Sequence, residues 1–267
     1  MWSRTAPTTA SFVLFAMSNA IAQRDTLSSS PGVPRDRVSI VAGFADGQRR
    51  DVVVSPLTYL GNGYAASAAY DHFGARSAVA VVATWDAQRL RPQRNVNEAT
   101  ELVMQGGLRA AALRSLTNSG GWTLSAGAST GLWGIGTEHR YPAPYESRAG
   151  FFAAFATVGP AAEVRRPVLG GTARLELDAP VFGFSDRGYS ETKSGQPLWS
   201  VDRVGPREMR ALNGALTYAP APLGRVGLLF SYRFSILDYR DAQPLRTASQ
   251  SFSIGLTRYL GSRPLRR

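Results

Sequence analysis

From about residue 38 the chain alternates apolar with polar or small side chains at a period of two. In the run 226–236, Val226, Leu228, Phe230, Tyr232, Phe234 and Ile236 share one face, while Gly227, Leu229, Ser231, Arg233 and Ser235 share the other. Successive side chains of a strand point to opposite faces, so the pattern predicts strands with one apolar and one polar surface. Residues 172–181 repeat it more sharply, with Ala173, Leu175, Leu177 and Val181 against Arg174, Glu176 and Asp178. Further runs fall at 38–44, 64–70, 102–112, 122–132 and 251–256, with weaker ones at 77–85, 149–158 and 207–218. None keeps a 3.6-residue spacing, which predicts almost no helix in this part of the chain. Ten strands of about ten residues result, long for a soluble sheet and right for a tilted strand crossing a bilayer, which takes about 9–11 residues.

The links between these runs alternate in length. Short links near 72–76, 115–121, 165–171 and 220–225 carry turn residues such as Asn118-Ser-Gly-Gly121 and Gly170-Gly171. Longer links fall near 46–62, 86–100, 138–148, 185–206 and 238–249. Turns on one side and long loops on the other are the layout of a transmembrane barrel. Over roughly residues 38–260 the chain therefore resembles the bacterial outer-membrane β-barrel class, without a motif that assigns one named family. The resemblance implies an all-β, antiparallel, up-and-down transmembrane β-barrel with an even strand number and both termini in the periplasm. Ten strands meet that parity; eight and twelve do too, because Asp51-Val-Val-Val-Ser-Pro56 also reads as strand although Pro56 is awkward in a paired one. Such barrels often end on an aromatic residue, whereas here Tyr259-Leu260 is followed by Gly261–Arg267.

The N-terminus fits export. Arg4, the apolar run Ala10–Met17 and Ala20-Ile21-Ala22 form a charged region, a short hydrophobic core and a small-residue cleavage site. The apolar run is far short of the roughly 20 residues of a membrane helix. The expected organisation is a signal peptide over 1–22, a flexible linker over 23–36, the barrel over 37–262 and a basic tail over 263–267. No later run of 18 apolar residues exists, so a helical membrane protein is excluded.

Composition narrows the chemistry. The absence of cysteine removes disulfides, thiol catalysis and cysteine-bound metals. Two histidines, His72 and His139, leave little for a metal centre, and no phosphate loop or calcium loop is present, so no cofactor is expected. A hydrolase needs a nucleophile and an oriented base. His139, at the outer rim of a strand, is the better candidate base; His72 lies in a predicted turn. No Gly-x-Ser-x-Gly elbow occurs. A phospholipase-like His and Ser two residues apart is missing, since Tyr141 follows His139 and Gly74 follows His72 at that distance. An omptin-like Asp-x-His set is missing because Asp71 directly precedes His72. The reading is not an enzyme.

The net charge is +11, with Lys193 the single lysine among 30 basic residues. Export and the scatter of the arginines argue against nucleic acid. Arg49, Arg50, Arg89, Arg91, Arg140 and Arg210 fall on the long-loop side, where guanidinium groups suit phosphates of anionic outer-leaflet lipid. Expected partners are outer-membrane lipids and the barrel-assembly machinery. Arg109, Arg174, Glu176, Asp178 and Arg233 fall on inward faces, where opposite charges should pair across a narrow lumen. Tyr64, Tyr70, Trp85, Trp122, Tyr218, Tyr232 and Tyr259 are candidates for interfacial girdles. Tyr189 and Trp199, in the longest loop, are candidates for recognition. The predicted role is a structural or surface-binding outer-membrane barrel with a narrow or plugged polar lumen. The alternatives are a narrow channel for small solutes or apolar ligands and, further off, an outer-membrane hydrolase.

Overall fold

The computed structural model describes residues 36–51, 55–74, 76–93, 99–140, 148–190, 198–240 and 244–260. The expected signal peptide, nearly all of the linker and the basic tail lie outside them. The described residues contain no helix. They form twelve strands: β1 (Asp36–Asp51), β2 (Ser55–Phe73), β3 (Ser77–Pro92), β4 (Thr100–Ser119), β5 (Trp122–Arg140), β6 (Arg148–Val168), β7 (Gly171–Asp178), β8 (Phe182–Ser190), β9 (Leu198–Val204), β10 (Met209–Ala219), β11 (Val226–Tyr239) and β12 (Leu245–Leu260).

All pairings are antiparallel, and the sheet closes on itself. β1 pairs with β2 on one side and with β12 on the other, while β5 pairs with both β4 and β6. The twelve strands make ten staves. β7 and β8 lie end to end along β6, with Ala173 opposite Arg166 and Phe184 opposite Ala156. Between them the N–H groups of Ala179 and Val181 still donate to β6. Pro180 falls at the break, where it has no N–H to leave unpaired. On the other side β7 pairs with β10 and β8 with β9, so β9 and β10 also share a stave. Their junction is a turn at 205–208, tied by Met209 N–H to the Gly205 carbonyl (2.9 Å) and Gly205 N–H to the Glu208 carboxylate (2.9 Å).

The strands are longer than the sequence pattern implied, 16–21 residues in β1 to β6. The expected long loops are largely strand: β1 runs on to Asp51 and β2 begins at Ser55. Within the expected 185–206 loop, residues 185–190 and 198–204 are paired antiparallel strand. Pro56 is accommodated where the β1–β2 register shifts between Arg49 and Asp51.

Outward positions show why. On β1, Val38, Ile40 and Phe44 face out, and Asp46, Gln48 and Arg50 continue the same face. Elsewhere Leu108, Leu132, Val158, Phe182, Leu216, Leu228 and Ile254 extend one exposed apolar band round the barrel. A band this continuous is foreign to a soluble monomer and normal for a lipid-facing one. Outward charges bound it: Arg91, Arg140 and Arg246 at the loop end, Arg114, Arg166 and Arg258 at the turn end.

Two turn-end hairpins have two-residue loops with both residues left-handed, Gly120-Gly121 (φ 58° and 79°) and Leu169-Gly170 (φ 48° and 73°). This turn twists with its strands, which is why it suits hairpins.

Candidate functional site: the barrel lumen

The inward face divides into three storeys. At the turn end lies an ion network. Arg37 donates twice to Asp71 Oδ2 (3.0 and 2.8 Å), and Arg174 donates to Asp71 Oδ1 (2.6 Å) and Glu163 Oε2 (2.5 Å). Arg165 also binds Glu163 through its Nε (3.1 Å). Arg109 bridges Glu176 (2.5 Å) and Asp178. Asn213 closes the other side of Asp178 (3.0 Å) and is itself held by Ser235 (2.8 Å). The guanidinium groups of Arg37, Arg165 and Arg174 surround the Phe73 ring at 4.2–5.7 Å. Asp71, Glu163, Arg174 and Asp178 are buried, and pairing is what makes such burial tolerable.

All five residues expected in the lumen are there. Arg109, Arg174, Glu176 and Asp178 meet within this network; Arg233 stands beside it without a hydrogen-bonded carboxylate. Sequence reasoning missed Arg37, Glu163 and Arg165 as members. Their parity on their strands, one position out of phase with Val38, Val164 and Arg166, was the available signal.

At the loop end the lumen is filled mainly by apolar side chains around a small buried charge cluster. Tyr59, Leu90, Val103, Ile135, Phe151, Phe155, Met209, Leu237, Tyr239 and Leu245 form one buried cluster, with Trp133 stacked on Phe155 at 4.3 Å. Arg49, expected on the outer loops among the lipid-facing arginines, is only 2% exposed and lies inside this storey. It binds Asp51 (2.9 Å) and Glu101 (3.3 Å) with its guanidinium over Phe151. The cause is parity: Arg49 shares the inward face of Val41 and Ala45.

His139 is the penultimate residue of β5, at the loop end as expected, but its side chain is buried inside the lumen. It sits opposite Glu101 across β4 and β5, with Nε2 3.2 Å from Glu101 Oε1 and its ring edge-on to Tyr59. At 2% and 1% exposure both side chains are buried. Glu138, its neighbour, faces outward and pairs with Arg140 (3.0 Å). His72, expected in a turn, is the penultimate residue of β2, with Nδ1 2.8 Å from Asp36 Oδ1.

Between the two filled storeys lies a chamber of about 180 Å³. The side chains at its level are small: Ala65, Gly107, Ser129, Gly131, Ala215 and Ser253.

The aromatic candidates divide. Tyr64 and Tyr232 belong to one outward row, Tyr64–Phe44–Phe252–Tyr232, running across β2, β1, β12 and β11. It ends one step short of the polar residues Asn62, Asp46 and Gln250. Tyr70, Trp122 and Tyr218 face out near the turn end: Tyr70 donates to Asp36 (2.7 Å), Arg166 covers Trp122 (4.5 Å), and Tyr218 donates to the Leu169 carbonyl (3.2 Å). Trp85 faces out between the two sets, opposite Ala66. Tyr259 does not join them; it has the parity of Ser253 and Thr257 and stands opposite the inward Arg37. Tyr189 and Trp199 are strand residues, on adjacent rungs of the β8–β9 ladder.

No family model matches the chain, and no curated protein matches it in sequence. Solved structures do match in fold. The outer membrane protease OmpT from Escherichia coli aligns over 88% of this chain and 99% of its own, with a TM-score of 0.60 at 8% identity. The translocator domain of the autotransporter NalP from Neisseria meningitidis aligns over 94% of this chain and 97% of its own, with a TM-score of 0.49 at 11% identity. At such identities the likeness concerns architecture alone: this chain has the closed antiparallel barrel fold found in bacterial outer-membrane proteins.

Proposed function

We propose that the protein is an exported outer-membrane barrel whose closed lumen serves a structural or surface-binding role, not solute flow. The observation that carries this is the double obstruction of the lumen, ionic at the turn end and apolar at the loop end. Ten staves enclose an interior that side chains fill, whereas open aqueous channels take roughly 16 strands. In this reading the turn end faces the periplasm, the signal peptide directs export, and the assembly machinery inserts the chain. The strand extensions beyond the apolar band then stand outside the cell.

Lipid is the proposed surface partner. Arg50, Arg246 and Arg210 align across β1, β12 and β10, with Arg240 alongside and only Asp238 among them. The row lies on the loop side of the apolar band, one outward position past Ile236 on β11 and Leu212 on β10 and three past Phe44 on β1, and its guanidinium groups suit the phosphates of anionic lipid headgroups. A second reading, a narrow pathway for small molecules, draws on the central chamber alone.

Fractionation of the full chain expressed with its N-terminus tests the location. The protein should partition with the outer membrane, require detergent for extraction and run faster on gels unheated than boiled. A soluble periplasmic product with no heat-dependent mobility would contradict the proposal.

A further inference from the structure

The chamber is lined by two opposite charges, Arg233 and Asp86, that form no ion pair with each other; among the described residues Arg233 has no hydrogen-bonded carboxylate, although it stands in the field of Glu176 and Asp71. Around the ion network stand five arginines, Arg37, Arg109, Arg165, Arg174 and Arg233, against four carboxylates, Asp71, Glu163, Glu176 and Asp178. The first four arginines take those carboxylates in hydrogen bonds. Arg233 is the surplus cation. It lines the chamber between Ser231 and Ser235 of β11, opposite Ser251, and its Nε is buried with no partner.

Asp86 lines the same chamber from β3. Its contacts are amides: Gln105 Nε2 donates to one oxygen (2.5 Å) and Gln88 Nε2 to the other (3.1 Å), with Gln105 also reaching Ser249 (3.2 Å). Among the described residues no cation forms an ion pair with it, Arg233 included. A buried charge without an opposite partner is costly, and a bound group of opposite sign lowers that cost at each position.

We propose that the chamber is a binding site for a small zwitterion, its acidic group on Arg233 and its ammonium group on Asp86. A simple anion would satisfy Arg233 and bring a second negative charge towards Asp86; a simple cation would do the reverse. A molecule carrying both charges answers both. The volume is about ten times what a single water occupies by the same measure. Serine and threonine hydroxyls such as Thr84, Ser129 and Ser251 offer further hydrogen bonds along the walls. The site goes beyond the closed-barrel reading, and its occupancy is measured independently of conductance and of location.

The test is equilibrium dialysis of the refolded full chain with radiolabelled L-serine, supplied from the start of refolding so that passage into a closed lumen is not a variable. Acetate and ethylammonium are the single-charge probes. L-serine should be retained, neither single-charge probe should match it, and R233Q and D86N should each reduce retention about tenfold or more, the scale of losing a hydrogen bond to a charged group. R233K, which keeps the charge at the position, controls for folding, with unheated gel mobility as the check on every variant. No retention of L-serine by the folded protein would overturn the proposal. So would retention untouched by both substitutions, or an acetate-binding site that depends on Arg233 and ignores Asp86.

Discussion

Arg174 and Asp71 lie 103 positions apart in the chain and meet at 2.6 Å at the turn end of the lumen. They sit on β7 and β2, which are not neighbours in the sheet. The contact therefore spans the barrel instead of following its wall. Arg174 also holds Glu163 and Glu176, so its loss takes one of two arginine partners from each of three buried carboxylates, leaving Arg37, Arg165 and Arg109 to hold them. Removing one partner of a buried pair costs about 3–5 kcal/mol. R174M should lower the unfolding free energy by that order, read as an earlier loss of the fast-running unheated gel band with temperature. An unchanged transition would mean the network contributes no stability.

The turn at Leu169-Gly170 offers the opposite change. Leu169 is 92% exposed with a left-handed backbone, which costs a non-glycine residue about 1–2 kcal/mol. L169G or L169N should stabilise the barrel by about 1 kcal/mol, since Asn-Gly and Gly-Gly favour this turn. Urea unfolding in detergent measures it.

The closing seam between β1 and β12 depends on a close approach. A Cβ at Gly43 would stand 1.9 Å from the Phe252 carbonyl oxygen, a backbone atom that cannot swing aside. G43V should cost at least the roughly 1–3 kcal/mol of overpacking and reduce the yield of refolded barrel. Refolding yield on unheated gels gives the answer.

Because the chain has no cysteine, single cysteines report on each face cleanly. Phe44 is 72% exposed and Val41, three residues away, is buried. A fluorophore on F44C should be quenched by lipids carrying a quencher in their acyl chains, and V41C should resist labelling in the folded protein. Equal behaviour would refute the inward and outward assignment.

The strand positions were legible because lipid demands an unbroken apolar face, and that alternation stands plainly in stretches such as 226–236. The strand lengths were not, because above the apolar band the same period continues in Asp46, Gln48 and Arg50, which read as loop. The ion network was half legible: Arg109, Arg174, Glu176 and Asp178 announce themselves by alternation, but Asp71 finds Arg174 only through closure of the barrel. The apolar plug was hidden, since Leu90, Ile135 and Phe155 point inward where the pattern leads one to expect polar residues. Arg49 was misplaced, and the burial of His139 missed, for the same reason. Neither break in the staves was visible, although Pro180 and Gly205-Pro206 mark them in retrospect.

A lumen closed at both ends passes no ions, so planar-bilayer recordings of the purified, refolded protein should show no steady current from the wild type and little from R174M, in which the cluster around Phe155 and Leu245 still blocks the loop end. A large, stable wild-type conductance would contradict that closure.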